Sequence, residues 1–449
     1  MNAPQAQDHW RSTAGFLLAS LGSAVGLGNV WRFSYVAGEN GGGAFLLVYL
    51  CMVLLIGIPL LLAEFSIGRG AQRESASAFH VLSPRSPWRH LGLLGVVVAC
   101  LILAYYAVIA GWVFKYAALY LTGTTQLLSE PGHAAAFSGH VASGAEALAW
   151  QAAGLALTMV IVARGVQRGI ERISLALMPT MAVLLLFLAL HSASLPGFQR
   201  GFDFLFSPDW SVLRDPRVYL AATGQAFFSI GLAMGVMVTY GSYLQQSQHL
   251  PRSAATIALG DTLFAVIAGL VIFPAVFSFG LDPAYGTGLA FVALPSVFEQ
   301  MQGGRLLGAA FFGLLSIAAL TSMVSLLEVA VAYGMQRFGL SRLRATLAIG
   351  FALLALGVPA SLGFGLWAGV TPLGERSILD SMDFLTADLL LPVNGLLLAL
   401  FLGWVWPRAE SLRASQIRSP WFGRFWHFSL RYLAPALVAV VLVAGLARA

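Results

Sequence analysis

The sequence predicts an all-α polytopic membrane protein made of two inverted five-helix repeats, with broken first and sixth helices and an additional eleventh helix. Three observations lead to this prediction. Hydrophobic residues make up 58% of the 449 positions and charged residues only 10%, which excludes a soluble domain. Apolar stretches of about 20 residues, long enough to cross a bilayer, recur along the chain. The first and sixth of them carry glycines and polar side chains at mid-membrane depth.

The apolar stretches define eleven spans. We expect them at residues 13–36, 42–68, 92–122, 148–163, 173–192, 218–243, 255–280, 306–335, 345–367, 379–405 and 428–446. The corresponding division is a cytoplasmic tail (1–12), a first five-helix repeat (13–192), an extracellular loop (193–217), a second repeat (218–405), and a cytoplasmic loop with the eleventh helix (406–449).

The distribution of arginine predicts the orientation in the membrane. Arginines concentrate in every other loop, and loops rich in arginine face the cytoplasm. The N-terminus is then inside and the C-terminus outside, in a multi-pass protein of the bacterial inner membrane. The net charge of +6 is therefore a topology signal, and we expect a lipid bilayer rather than nucleic acid as the surrounding partner.

The first span contains the stretch GSAVGLGNVWR at residues 22–32. Glycine destabilises a helix interior by roughly 1 kcal/mol, and Asn29 and Arg32 follow at membrane depth. We interpret the stretch as a broken helix, with one half ending near Val25 and the other beginning near Leu27. Its free carbonyls suit a cation and its free N–H groups suit a carboxylate, as in a site for an amino acid and a sodium ion. From spacing alone, the glycines also fit simple helix–helix packing.

The sixth span repeats this pattern. Gln225, Ser229, Gly231 and Gly235 lie near its middle, five spans after the first break. Two interrupted helices in corresponding halves are typical of a transporter site at the repeat interface. Pro179 in the fifth span predicts a bent or loosened inner half of that helix.

Several motifs together resemble one protein family. GSAVGLGNVWRF (22–33), ENGGGAF (39–45), the Phe-Phe-Ser centre of the sixth span and ALTS (319–322) follow one another as in the neurotransmitter:sodium symporter family. The resemblance extends over nearly the whole chain. It is strongest to the bacterial amino-acid transporters of that family, including the form with eleven helices.

The resemblance implies two sodium sites made of oxygen ligands. The residues implied for the first site, which the substrate carboxylate completes, are Ala24, Asn29, Ser229 and Asp261. The residues implied for the second site are Gly22, Val25, Ala318, Thr321 and Ser322. No organic cofactor is expected.

The resemblance also implies a substrate site and the size of its ligand. The residues implied are Ser23, Ala24, Leu27, Gly28, Ile102, Tyr106, Phe228, Ser229, Gly231, Met234, Ser322 and Leu326. Ser23 replaces an aspartate of the monoamine transporters, which favours an α-amino acid over a simple amine. Gly231 leaves room and Met234 adapts to irregular shapes. Both favour a large hydrophobic or aromatic amino acid such as tryptophan, phenylalanine or leucine.

Gates are implied on both sides of this site. The outer gate pairs Arg32 with Asp383, and Phe228 and Tyr106 form a lid. An inner salt bridge of some relatives is replaced by two glutamines. The inner residues implied are Gln7 and Gln336, with Trp10 and Tyr243 beside them.

The predicted function is sodium-coupled symport of a hydrophobic or aromatic L-amino acid into the cell by alternating access. We expect two Na⁺ ions and independence of chloride, because the carboxylate of Asp261 stands in for that anion. No nucleophile–base pair or metal motif accompanies the membrane acids, so an enzyme is not expected. One alternative is a proton-coupled transporter of the same architecture, with Asp261 or Glu328 as the proton carrier. The other is a sodium-dependent amino-acid sensor or channel.

Overall fold

The structure, a computed structural model, describes residues 9–245, 248–282 and 288–446. Among these residues, nine helices are long and apolar enough to cross a membrane, and a bent helix pair at the N-terminus forms a further span. A second interrupted pair supplies the sixth of the eleven predicted spans. The described residues contain no strand apart from an isolated β-bridge between Leu373 and Arg376.

The membrane helices are numbered here in chain order. Span 1a is Thr13–Ala24 and span 1b is Gly28–Glu39, followed by span 2 (Gly43–Ala71), span 3 (Pro87–Thr122), span 4 (Gly144–Ala163) and span 5 (Val166–Ser192). Span 6a is Pro216–Ile230 and span 6b is Val236–Ser242. Span 7 (Leu250–Ser278), span 8 (Gly304–Phe338), span 9 (Arg342–Leu362), span 10 (Ile378–Val405) and span 11 (Pro420–Ala444) complete the bundle.

Most bounds agree with the prediction, but spans 5 and 11 begin earlier than expected. Span 5 starts at Val166 and span 11 at Pro420, several residues before the apolar stretches that marked them. Their first turns carry arginines such as Arg168 and Arg424, which hydropathy assigns to loops. Helices continue past the hydrocarbon core wherever their polar turns reach water, and composition does not detect those turns.

The first break has the predicted position and a clear local cause. The hydroxyl of Ser12 caps span 1a by accepting from the Gly15 N–H at 2.9 Å. After Ala24 the chain turns extended at Val25 (φ −70°, ψ 96°), and spans 1a and 1b meet at 53°. The side chain of Asn29 then accepts from the N–H of Gly26 at 3.1 Å and holds the start of span 1b.

The second break depends on residues in the left-handed conformation. Gly231 (φ 69°) ends span 6a, Gly235 (φ 73°) precedes span 6b, and Ala233 between them also has a positive φ of 63°. Backbone groups exposed in this way must find protein partners inside a membrane. Glu64 Oε1 accepts from the Ala233 N–H at 2.7 Å, and Asn394 Nδ2 donates to the Ala233 carbonyl at 2.6 Å. Spans 2 and 10 therefore hold the break open from two sides.

Glycines set the contact between spans 2 and 6b. A Cβ on Gly68 would lie 1.9 Å from the Val238 carbonyl oxygen, and one on Gly241 would lie 2.9 Å from the Phe65 carbonyl oxygen. The two backbones touch as small residues allow in membrane helices.

Span 8 is the most buried of the spans, packs along span 3 and also contacts spans 1a and 5. The two breaks thus face the centre of the bundle.

Replacing Glu64 by leucine should destabilise the fold more than replacing it by glutamine. Leucine leaves the buried Ala233 N–H without an acceptor, which costs about 1–3 kcal/mol, whereas glutamine keeps an oxygen for it. Ala233→Gly should not lower stability, because glycine adopts the observed φ without strain. Thermal unfolding in detergent measures these differences, with the exposed Glu130→Gln as control. Equal unfolding temperatures for Glu64→Leu and Glu64→Gln would contradict the role assigned to Glu64.

Candidate functional site

The two helix breaks enclose a small cavity in the middle of the bundle. Its volume is about 40 Å³, and spans 3 and 8 complete its wall. The lining residues are Ser23, Ala24, Gly26, Gly28, Ile102, Tyr106, Phe228, Gly231, Met234, Val236, Ser322, Ser325 and Leu326. None of these side chains is charged.

This lining contains every predicted substrate residue except Leu27 and Ser229. Three further residues were missed from the sequence: Gly26, Val236 and Ser325. Ser325 follows Ser322 by three positions in a helix and so lies on the same face, a spacing that could have identified it. Val236 carries no comparable signal, because an apolar residue at the start of span 6b is ordinary in a membrane protein.

One end of the cavity is suited to a negative group. The Leu27 N–H donates to the hydroxyl oxygen of Tyr106 at 3.2 Å, so the phenol and the start of span 1b face the same point. A Cβ on Gly26 would lie 2.8 Å from Ser322 Oγ and 3.2 Å from the Tyr106 hydroxyl, so this approach requires glycine. The positive end of the span 1b dipole also points here.

The other end of the cavity is apolar and has room beside span 6. No atom lies within 4 Å of the position that a Cβ on Gly231 would occupy. Met234 and Phe228 form part of the surrounding wall. Ser23 donates its hydroxyl hydrogen to Ser325 Oγ at 2.7 Å. The Ser23 hydroxyl is therefore already paired with span 8.

The side chains predicted for the first sodium site lie together beside the cavity. Asn29 Nδ2 donates to Asp261 Oδ1 at 2.7 Å and to Ser229 Oγ at 2.9 Å. Ser229 Oγ donates to Asp261 Oδ2 at 2.6 Å, and the Tyr49 hydroxyl donates to Ser229 Oγ at 3.3 Å. All of these residues are buried. The cluster joins spans 1b, 6a, 7 and 2, and the oxygens of Ser229 and Asp261 suit a hard cation. Asn29, expected to offer its amide oxygen, instead turns its amide nitrogen to this cluster, because its oxygen accepts from the Gly26 N–H.

The residues predicted for the second sodium site lie where span 1a ends against span 8. Ser322 Oγ donates to the Ser23 carbonyl at 3.4 Å, and Thr321 Oγ1 donates to the Ala318 carbonyl at 3.1 Å. A Cβ on Gly22 would lie 3.3 Å from the Thr321 Cβ, so the end of span 1a directly contacts span 8. The last carbonyls of a helix have no partner within the helix and remain available as ligands.

On the outer side, an aromatic ring separates the central cavity from a larger one. Phe228 lines both the central cavity and an outer cavity of about 700 Å³. The guanidinium carbon of Arg32 lies 4.3 Å from the centre of the Phe228 ring. Asp383 accepts from the Tyr105 hydroxyl at 2.9 Å. The predicted outer residues Arg32 and Asp383 therefore lie on the same side of the cavity, but among the described residues no ion pair joins them, because Arg32 packs on Phe228 and Asp383 bonds to Tyr105.

On the inner side, Trp10 closes the base of span 6b. Its indole N–H donates to the Tyr240 carbonyl at 3.0 Å, and its ring lies edge-on to Tyr240 and Tyr243. The Tyr243 hydroxyl donates to Glu328 Oε1 at 2.6 Å. Arg342 Nη1 lies 2.7 Å from Glu328 Oε2, so this membrane acid is part of an ion pair.

Gln336 lies beside a short helix outside the membrane spans. When its amide nitrogen faces the carboxylate, the nitrogen lies 3.2 Å from Glu74 Oε1 and the amide oxygen accepts from Arg73 at 3.1 Å. Burial raises the pKa of Glu74, and hydrogen bonds from Ser77 and Ala76 oppose that rise. Gln7, the other predicted inner residue, lies outside the described residues.

Glu171 is an inner residue that the sequence analysis missed. Its carboxylate accepts from the Arg11 N–H at 2.8 Å, from the Ser12 N–H at 3.1 Å and from the Ser12 hydroxyl at 2.7 Å. Gly15 makes room for it, because a Cβ there would lie 2.1 Å from Glu171 Oε1. Span 5 thus holds the N-terminus of span 1a. The only signal in the sequence is an acid placed among arginines just before the predicted fifth span.

Comparison with known proteins identifies the family. Residues 7–129 and 140–449 match the family model described as the Sodium:neurotransmitter symporter family. The chain is 39% identical over 435 residues to the uncharacterized sodium-dependent transporter YhdH of Bacillus subtilis (strain 168), with 96% of each chain covered. It is 30% identical over 294 residues to the sodium-dependent neutral amino acid transporter B(0)AT2 of Rattus norvegicus, with 59% of this chain and 40% of that one covered.

A solved structure agrees with this assignment and with the predicted fold. The crystal structure of MhsT in complex with L-phenylalanine matches with a TM-score of 0.92 and 49% sequence identity, covering 98% of this chain and 100% of that chain. This match confirms the predicted helical membrane fold with its two broken helices. The family and the structural neighbour are transporters, which confirms that the chain is not an enzyme. The protein is a sodium-dependent symporter that belongs to the sodium:neurotransmitter symporter family.

Proposed function

We propose that the protein carries a hydrophobic or aromatic L-amino acid into the cell by sodium-coupled symport. The main support is that both helix breaks border one cavity, with N–H and hydroxyl groups at one end and an apolar wall at the other. An amino acid has the matching polarity. MhsT, which shares the fold and 49% of its residues, is seen with L-phenylalanine.

The charge of the cavity favours an α-amino acid over a simple amine. The lining side chains are all uncharged, and Ser23 pairs with Ser325 rather than offering a carboxylate. A cationic amine would have no counter-ion there, and burying an unpaired charge is costly. An amino acid brings its own carboxylate, which would complete the first sodium shell beside Asn29.

The wall of the cavity favours a large side chain. The space beside Gly231 and the flexible side chain of Met234 can be reorganised around an aromatic or branched ligand. A cavity of about 40 Å³ holds only a few water molecules. Binding therefore needs an outward movement of wall residues, and Phe228 is positioned to make it because it borders both cavities.

Two Na⁺ ions would couple to this substrate through the two sites described above. Asn29, Ser229 and Asp261 with the Ala24 carbonyl would form the first. The carbonyls of Gly22, Val25 and Ala318 with the hydroxyls of Thr321 and Ser322 would form the second. Two inward charges gain roughly 2.3 kcal/mol each per 100 mV, enough for accumulation of several orders of magnitude.

Alternating access would use the contacts on the two sides of the cavity. Phe228 and Arg32 would move to open the outer side, while Trp10 and Glu171 keep the inner side closed. Release inward would require span 1a to leave its contacts with span 5. The arginine-rich loops would face the cytoplasm, with the N-terminus inside and the C-terminus outside.

Uptake should depend on a sodium gradient. Proteoliposomes with the purified protein should accumulate labelled L-phenylalanine when Na⁺ is high outside, and not when choline replaces it. Asn29→Ala and Ser322→Ala should each lower the apparent sodium affinity about 10-fold or more, because each removes an ion ligand, a loss of at least about 1.4 kcal/mol. Ser194→Ala, in a loop, serves as control.

Two results would favour the alternatives, which are a proton-coupled transporter and a sodium-dependent amino-acid sensor or channel. Uptake driven by a pH gradient without sodium would support proton coupling, although the ion pair between Glu328 and Arg342 argues against Glu328 as the carrier. Sodium-dependent binding without accumulation would support a sensor.

Chloride should not be needed. The Asp261 carboxylate already supplies a negative charge to the Tyr49–Ser229 cluster, so replacing chloride with gluconate should leave uptake unchanged within about twofold. In Asp261→Asn the charge is lost, and uptake should require chloride or cease. Asp203→Asn, at an exposed position of a short helix (Phe198–Phe206), is the matched control. Loss of wild-type uptake in gluconate would refute the proposal.

Removing the Glu171 carboxylate should loosen the inner end of span 1a. In Glu171→Ala three hydrogen bonds to residues 11–12 are lost, and charge-assisted bonds are the stronger ones. Amide hydrogen exchange in residues 11–20 should become about 10-fold faster or more, measured by mass spectrometry. Glu375→Ala in an exposed loop should leave that segment unchanged, and similar exchange in both variants would contradict the assignment.

A further inference from the structure

A third cavity lies at the end of the bundle that carries the arginine-rich loops. Its volume is about 390 Å³, and it opens between the end of span 10 and the beginning of span 11. The residues that matter for its chemistry are Arg408, Arg424, Arg431, Trp404, His427 and Tyr432. None of them belongs to the transport site or to the gates.

Close contacts between the two spans fix the walls of this cavity. A Cβ on Gly403 would lie 2.7 Å from the Arg431 Cα, so glycine allows the two backbones to meet. The indole N–H of Trp404 donates to the Arg431 carbonyl at 3.1 Å. Both walls contain a π-helical turn, Phe401–Val405 and Ser429–Leu433, and such turns are frequent at functional sites.

Span 11 is also anchored to the rest of the bundle. The buried Trp426 donates its indole N–H to the Pro59 carbonyl at 2.9 Å, and Ser429 Oγ donates to the Leu55 carbonyl at 2.5 Å. These bonds to span 2 hold the cavity in a defined position. The site is therefore built into the fold rather than carried by a free loop.

The cavity is strongly positive. In the part of the chain that the structure describes, Arg408, Arg424 and Arg431 form no ion pair with a carboxylate. The guanidinium of Arg431 instead lies 3.9 Å from the centre of the Trp404 ring. Glu410 in the preceding short helix accepts from the Trp406 indole at 3.3 Å. Arginine forks match the oxygens of a phosphate, and three arginines line this cavity.

The rim of the cavity carries exposed aromatic side chains. Trp404, Phe428 and Tyr432 are 55%, 56% and 50% exposed, although all three lie in membrane spans. Tryptophan and tyrosine are favoured at the level of lipid headgroups, and basic pockets between membrane helices bind anionic headgroups. We propose that this cavity binds the phosphodiester headgroup of an anionic phospholipid such as phosphatidylglycerol, with its acyl chains along the exposed aromatic rim.

The test compares two double variants with the same change of charge. Arg408→Gln/Arg424→Gln removes two side chains of the cavity, and Arg413→Gln/Arg418→Gln removes two from the connection between spans 10 and 11, outside the cavity. Titration with phosphatidylglycerol, followed by native mass spectrometry in detergent, should show one retained lipid. Each basic side chain contributes roughly a factor of five, so binding should weaken roughly 30-fold in the cavity variant and about twofold or less in the other.

Further binding measurements identify the molecule that occupies the cavity. Phosphatidylcholine, which has the same phosphate but no net charge, should bind much more weakly than phosphatidylglycerol. Inorganic phosphate at millimolar concentration should not displace the bound lipid. Equal weakening in both double variants, equal binding of the two lipids, or displacement by phosphate alone would each overturn the proposal. Binding is measured without sodium or amino acid, so the result does not depend on the proposed transport function.

Discussion

The structure depends on one constraint, which is that backbone N–H and carbonyl groups inside a membrane need partners. A continuous helix satisfies them internally, whereas a broken helix leaves several free. Here distant helices satisfy them. At the first break, the Tyr106 hydroxyl accepts from the Leu27 N–H. At the second, Glu64 accepts from the Ala233 N–H and Asn394 donates to the Ala233 carbonyl. The groups left over can then bind a ligand, so the same interruption that threatens stability produces the site.

The same need for partners accounts for the contacts of three buried acidic side chains. Glu64 supports a break, Asp261 accepts from Asn29 and Ser229, and Glu328 pairs with Arg342. Acids at membrane depth are usually functional and usually paired. Each acid has a different structural role in this protein. The first holds span 6 open, the second joins span 7 to spans 1b and 6a at the proposed ion site, and the third pairs with Arg342 beneath Tyr243.

The sequence was sufficient for the helices, the breaks and most of the cavity wall. Glycines in residues 22–32 and 231–235 interrupt apolar runs, and that pattern is local, so it can be detected without a structure. The partners of the breaks could not be found in this way. Glu64 and Asn394 lie far apart along the chain and meet only because spans 2 and 10 both pack beside span 6. Glu171 was missed for the same reason, since its role depends on where the fold places residues 11–12.

The contact between Gly68 and Gly241 has a consequence for movement. Because the backbones of spans 2 and 6b touch without intervening side chains, neither helix can slide or rotate against the other without a steric clash. We therefore expect the pair to move as one unit in the proposed transport cycle. Span 1a, by contrast, is held at its inner end by side-chain hydrogen bonds that can form and break. In the proposed transport cycle, the contact between spans 1a and 5 is therefore expected to separate, with the bend between spans 1a and 1b as the hinge.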